Sequence, residues 1–375
     1  MRHLSRPPAA KWWRIGSFPK IRQYGTSPST TVFNHALVSV APMVDVTDRF
    51  FLRLCGIISS KSTLYSEMMH ARAIVANRDR LEQFIGPPSA QLVVQLGGNE
   101  PDYMAQAAEV LQNYGVQALN LNLGCPSPKV QNCNFGARLM LDPDQVVAVC
   151  RAVHAVSDLP LSIKCRTGVD DQAGPEFLRS FIEVVTSQTQ VQHVVVHARK
   201  ALLHLDQAKK NLMIPPLHYD WVYPLRSLFP HLTFTVNGGI STVEAILSHL
   251  RQVDGVMLGR KIRSDPLFLV DIDNALHQTQ ETRNQVVTRL LPQYLTYADV
   301  EQARSKVSLN LLVRPIQHIF SGVFGRNFRR FLGKRLQLEA KNPNATCSQV
   351  VHECWEMAQT KTGRHSCESG WCSNA

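Results

Sequence analysis

A rhythm constrains this chain more than any single motif. Between residues 36 and 260, short apolar runs alternate with longer stretches of helical pattern. The runs are "ALVSVAP" at 36–42, "STLYSE" at 62–67, "QLVVQLGG" at 91–98, "VQALNLNLG" at 116–124, "LPLSIKCRTG" at 159–168, "QHVVVHAR" at 192–199, "LTFTVNGG" at 232–239 and "DGVMLGR" at 254–260. Short strands separated by helices predict a parallel sheet. Eight strands over roughly 225 residues predict a TIM (β/α)8 barrel. A doubly wound open sheet is the alternative, but no G-x-G-x-x-G follows the first run.

The linking segments carry helix signals. "EPDYMAQAAEVLQNYG" opens with an acid and Pro101 and stops at Gly115. "DPDQVVAVCRAVHAVSD" offers Asp142 as N-cap and Pro143 in the first turn. "STVEAILSHLRQ" offers Ser241 as cap with Glu244 three residues on, the spacing of a capping box. Polar or distinctive residues close the runs: Met43, Glu67, Gln95, Asn122, Lys164, His197, Asn237 and Arg260. In a barrel those ends share one rim, where active sites sit.

Beyond Asp273 the strand pattern disappears and residues 275–340 read as helices. From Gln302 to Leu338 no acid occurs, while Arg304, Lys306, Arg314, Arg326, Arg329, Arg330, Lys334 and Arg335 accumulate around Phe324, Phe328 and Phe331. That pattern fits a nucleic-acid face. The blander reading is an amphipathic helix with a phenylalanine core and solvated arginines. The net charge of +11 also favours an anionic partner. Part of the excess comes from the first 44 residues, which contain no Asp or Glu and include a Ser/Thr-rich run from Thr26 to Thr31. Such a leader resembles an organellar transit peptide, for a mitochondrion or plastid; a disordered basic extension in a cytoplasmic protein is the alternative. No apolar stretch reaches the roughly 20 residues of a membrane span.

The nine cysteines follow no disulfide or zinc-knuckle spacing. Cys55, Cys150 and Cys165 fall within apolar patterns and read as small buried hydrophobes. The tail, 341–375, with Cys347, Cys354, Cys367 and Cys372, reads as a frayed polar end. Cys125 differs. It follows a strand and sits between Gly124 and Pro126, where a thiol can act as a general acid. Lys164 lies inside "LSIKC", and an ammonium among strand residues needs a partner or a task. With Gln95 and His197 it suits an electron-rich planar heterocycle such as a flavin. "TVNGGI" and "VMLGRK" place glycines and Arg260 after the last two strands, where barrels commonly bind phosphate. Together these point to FMN.

The motifs "APMVDVTDRFFLRLC", "LNLGCPSPKVQNCNFGARLM", "SIKCRTGVDD", "VVVHARKALL", "IPPLHYDWVYPL", "TVNGGI" and "DGVMLGR" resemble, in order, those of the tRNA-dihydrouridine synthases. The match is closest to the bacterial A-type, or 20/20a, enzymes and covers about residues 36–337. The resemblance implies an FMN-containing TIM barrel (35–274) after the leader (1–34), then a helical tRNA-binding domain (275–340). It implies reduction of the C5=C6 bond of D-loop uridines. Flavin N5 would give hydride to C6, Cys125 would give the proton to C5, and NADPH would re-reduce the flavin. Pro42, Met43, Gln95, Lys164, His197, Asn237, Gly238, Gly239, Gly259 and Arg260 would hold FMN. Asn122, Lys209, Lys210, Asn211, Arg326, Arg329 and Arg330 would contact tRNA. The chain departs from the family at Arg138, and at "NLMIPPL", where Leu212 stands in a segment that usually carries an arginine. A monomer without membrane or obligate protein partner is expected. Two rivals are a flavin reductase of a small molecule and an RNA chaperone on an inactive barrel. The basic helices argue against the first. Cys125, Lys164 and His197 argue against the second.

Overall fold

The computed structural model describes residues 37–205, 208–340 and 345–362. The basic leader, and Cys367 and Cys372 of the tail, lie outside the described residues. Each expected run contains a strand: β1 (Val38–Val40), β2 (Thr63–Tyr65), β3 (Leu92–Gly97), β4 (Ala118–Leu123), β5 (Leu161–Arg166), β6 (His193–His197), β7 (Thr233–Asn237) and β8 (Gly255–Leu258). They pair in parallel in the order β2-β1-β8-β7-β6-β5-β4-β3, and β3 pairs back onto β2. The sheet is therefore closed: a TIM barrel.

The two-residue period of a strand sorts its side chains. Leu119, Leu121 and Leu123 of β4 pack outward into the main apolar core. Asn120 and Asn122 take the opposite face, and their amides form a ladder with neighbouring strands. Gln95 Nε2 donates to Asn120 Oδ1 at 2.6 Å, Asn120 Nδ2 to Ser162 Oγ at 2.8 Å, and Asn122 Nδ2 to Gln95 Oε1 at 2.7 Å. Buried amides tolerate this location because each finds a partner. Ala41, Tyr65, Val93, Ala118, Val195 and Met257 form a separate small apolar cluster.

The helices α1 (Arg49–Ile58), α2 (Pro101–Tyr114), α3 (Pro143–Val156), α4 (Pro175–Ser187) and α5 (Val243–Leu250) lie in the segments between strands. α2 ends at Gly115 in the left-handed region, φ 97°, and α3 starts with Asp142 accepting from the Gln145 N–H at 3.2 Å. The expected cap of α5 is displaced by one residue. Thr242, with extended φ and ψ, accepts from the Ala245 N–H at 3.2 Å, and exposed Ser241 is left facing the barrel mouth.

The C-terminal region is helical: α6 (Phe268–His277), α7 (Arg283–Ser305), α8 (Gly322–Glu339) and α9 (Cys347–Thr362). The last of these corrects the reading of a frayed polar tail. Cys347, Val350, Val351, Cys354, Trp355 and Ala358 are buried. They recur at helical spacing, a stripe that stays hidden when cysteine is read as polar. Ion pairs join this region to the barrel. Arg49 of α1 meets Glu301 of α7 at 2.5 Å with both side chains buried. Arg304 of α7 grips Glu82 with two bonds of 2.8 Å.

Candidate active site

The C-terminal ends of the strands surround a cleft of about 660 Å³. Met43, Gln95, Asn122, Lys164, His197, Asn237 and Arg260 line it, so seven of the eight expected rim residues converge there. Glu67 lies beside it in a smaller groove. Pro42, Cys125, Gly238, Gly239 and Gly259 complete the set expected from sequence.

Cys125 owes its position to Asn122. The Oδ1 of Asn122 accepts from the N–H groups of Gly124 (3.2 Å) and Cys125 (3.0 Å), which turns the chain sharply off β4. This is the asparagine-centred turn that competes with continued strand. The Cys125 carbonyl accepts from the Ala137 N–H at 3.0 Å, closing the loop. Gly136 permits the closure: it has φ 72°, and a Cβ there would come within 2.6 Å of the Cys125 carbonyl oxygen. Burial raises the Cys125 thiol above its ordinary 9.0, with a smaller opposing pull from Ser127, Arg166 and Lys164. At neutral pH it is a thiol, the form that can donate a proton.

The cleft has one electrostatic sign. Lys164, Arg166, Arg260, Lys261 and Arg263 line it, with no carboxylate among the lining residues. Lys164 Nζ donates to Asn237 Oδ1 at 3.1 Å. Burial, reinforced by Arg166, lowers Lys164 to about 8. His197 is held well below its usual range by burial and by the surrounding cations, so its imidazole is neutral. Gly238 has φ 121°, and a Cβ there would press on the His197 ring at 2.8 Å. Its carbonyl accepts from the Tyr219 hydroxyl. The short helix Arg260–Ser264 begins at this end of the cleft.

The dihydrouridine synthase family model matches residues 39–354. The chain is 38% identical to the tRNA-dihydrouridine(20/20a) synthase of Xanthomonas axonopodis pv. citri, across 87% of this chain and 95% of that protein. It is 38% identical to the enzyme of the same name from Synechocystis, across 82% and 91%. For that of Escherichia coli the identity is 37%, across 84% and 91%.

The chain belongs to the dihydrouridine synthase family.

In this dihydrouridine synthase the cations Arg166, Lys261 and Arg263 line the cleft without having been expected there. Arg166 lies two positions from Lys164 on β5 and therefore on the same face. Its Nε donates to the Gly124 carbonyl at 2.7 Å, and Nη1 to the carbonyls of Lys200 (3.2 Å) and Asn211 (3.4 Å). Burial lowers it to about 10. The period of two was the available signal.

The residues expected to contact RNA divide. Asn211 is fully buried, so the expected surface contact is corrected: its Oδ1 accepts from the Leu202 N–H (2.6 Å) and its Nδ2 donates to the Leu202 carbonyl (2.9 Å). It staples the loop after β6. Arg329 is also turned inward, donating to the carbonyls of Gln317 (3.2 Å) and Phe320 (3.1 Å). Arg326 and Arg330 remain exposed and, with Lys334, recur every four residues on α8. None of the three has a carboxylate partner among the described residues. Lys210 is exposed, and the Lys209 side chain lies outside the described residues. Leu212 lines the cleft next to exposed Met213 and Ile214, and Arg138 is exposed.

Proposed function

We propose that this chain converts D-loop uridine to 5,6-dihydrouridine in tRNA, at sites 20 and 20a, using FMN and NADPH. One observation carries the reading most: a thiol kept protonated by burial at the edge of a cationic, carboxylate-free cleft. FMN fits that cleft. Gly238, Gly239, Gly259 and Arg260 would hold its phosphate end, with Pro42 and Met43 along the wall. Lys164 is a half-buried cation with no carboxylate partner among the described residues, suited to the electron-rich edge of the ring system, with Gln95, His197 and Asn237 as amide and imidazole partners. When bound, FMN supplies the hydride for C6 of the pyrimidine and takes it from NADPH.

The protein supplies the rest. Cys125 gives its proton to C5, so the C5=C6 bond gains one hydride and one proton. Hydride arrival puts negative charge on the pyrimidine, which the cations favour and no carboxylate of the cleft lining opposes. Neutral His197 serves as a hydrogen-bonding group. Asn122 holds the thiol loop in place. The exposed stripe of Arg326, Arg330 and Lys334 supports binding of a polyanion, with the target base drawn out of its stack into the cleft. A small substrate gives no reason for that stripe. The leader's composition supports import into an organelle; fusing it to a fluorescent reporter tests this.

The deciding experiment maps dihydrouridine by position in tRNA from cells lacking the protein, with organellar and cytosolic tRNA kept apart. Loss at site 20 or 20a, restored by the intact chain but not by Cys125→Ala, is the expected result. Unchanged dihydrouridine in both pools would refute the proposal.

A further inference from the structure

We propose that a second groove on the same rim binds one nucleobase of the RNA next to the base being reduced. The inference rests on the reading of the cleft as one that acts on a base in RNA. The groove follows β2 and encloses about 250 Å³. Met68 lines both the groove and the cleft, so the two adjoin.

Its lining suits a flat heterocycle. Ile74 and Leu81 form a buried apolar wall. Phe84 is 42% exposed, a large aromatic side chain on the lining beside them. Hydrogen-bonding groups stand at the edge. His70 Nδ1 accepts from the Arg72 N–H at 3.2 Å, and its Nε2 has no protein partner among the described residues. Glu67 commits one oxygen to the Asp45 N–H at 2.8 Å and keeps the other. An exposed aromatic side chain with polar groups at the margin fits a base, which stacks and pairs at once. An acyl chain would leave those polar groups unmatched.

The charge around it favours an anionic chain. Arg78 and Arg80 lie on the turn leading into the Leu81–Ile85 helix, and neither has a carboxylate partner among the described residues. Arg80 Nη2 instead donates to Asn77 Oδ1, on the groove wall, at 2.8 Å. Glu82 of that helix is taken by Arg304 of α7, which ties the wall carrying Phe84 to the helical region. RNA whose target base enters the cleft would thus meet a base-sized recess beside it.

The test uses the full chain with bound FMN and an unmodified tRNA transcript. 4-Thiouridine is placed at each nucleotide flanking the target and irradiated. A cross-link within residues 67–84 is expected. Phe84→Ala should lower kcat/KM for tRNA by about tenfold, mainly through KM, because stacking of one base contributes on that order. Phe84→Tyr should restore it. Flavin absorbance and oxidation of NADPH by dioxygen should match wild type in both variants. A Phe84→Ala protein with wild-type kcat/KM, a Phe84→Tyr protein as impaired as the alanine variant, or cross-links confined to other segments would overturn the proposal. A wild-type protein that forms no dihydrouridine would instead overturn the proposed reaction, and the cross-link would still decide the groove.

Discussion

Asp48 and Arg314 form an ion pair between the first barrel helix and the helical region. The same carboxylate caps α1: its Oδ1 accepts from the N–H groups of Phe50 (3.0 Å) and Phe51 (2.9 Å), and its Oδ2 accepts from Arg314 Nη2. One short side chain therefore starts a helix and anchors the helical region. Losing it should cost more than losing its partner. Asp48→Ala removes a cap, about 1 kcal/mol, as well as the pair; Arg314→Ala removes a half-exposed pair of about 1 kcal/mol or less. Thermal unfolding of the two variants should show the larger fall in Tm for Asp48→Ala. Equal falls would mean that the cap contributes nothing.

Cys125→Ala should bind FMN and tRNA as the wild type does and fail to produce dihydrouridine. The pH dependence carries a sign. Burial raises the thiol above 9.0, so the acid is present below that value and is lost as pH rises through its folded-state pKa. Single-turnover reduction should decline on the alkaline side only there. A decline centred near neutrality would point to a different proton donor.

Lys164 should make FMN affinity pH-dependent. Its ammonium titrates at about 8 in the flavin-free protein. A cation is needed opposite the electron-rich edge of the flavin, so affinity should hold below about 8 and weaken above it. Lys164→Met should bind more weakly and lose the inflection, measured by quenching of flavin fluorescence. Stability of the flavin-free protein should run the other way. Between about 8 and 10.5 the unfolded chain keeps this proton and the folded chain does not, so stability rises with pH across that window.

On α8, exposed and inward-facing arginines should behave differently. Arg326→Ala, Arg330→Ala and Lys334→Ala should each weaken tRNA binding and each lower the slope of log K against log salt by about 1. Their Tm should stay near wild type. Arg329→Ala should lower Tm, since it removes bonds to the Gln317 and Phe320 carbonyls. Filter binding over a salt series and a melting curve separate the two classes. An unchanged salt slope in all three exposed variants would exclude the stripe from the RNA contact.

The barrel was legible because its strands are buried on both faces and so read as apolar runs, and because the polar residues closing them fall on one rim. The residues lining the cleft were legible for the same reason: Lys164 and Gln95 are conspicuous inside such runs. Arg166 was not, because it stands one residue beyond the apolar run, where an arginine looks solvated. The inward direction of Asn211 and Arg329 was not legible because sequence gives residue type and not direction. Each sits in a polar stretch and points inward to satisfy backbone groups. α9 was hidden by its cysteines, which bury as hydrophobes do.

Arg166 has a mechanical consequence. Its guanidinium holds the carbonyls of Gly124, Lys200 and Asn211 together. Two of those belong to the loop after β6, and the third precedes the thiol. Displacing either side of that arc of the mouth would strip a buried charge of its partners. A macromolecule arriving there meets a stiff lip. The bending needed to deliver a base then falls on the RNA, whose flexible single-stranded loops bend most easily.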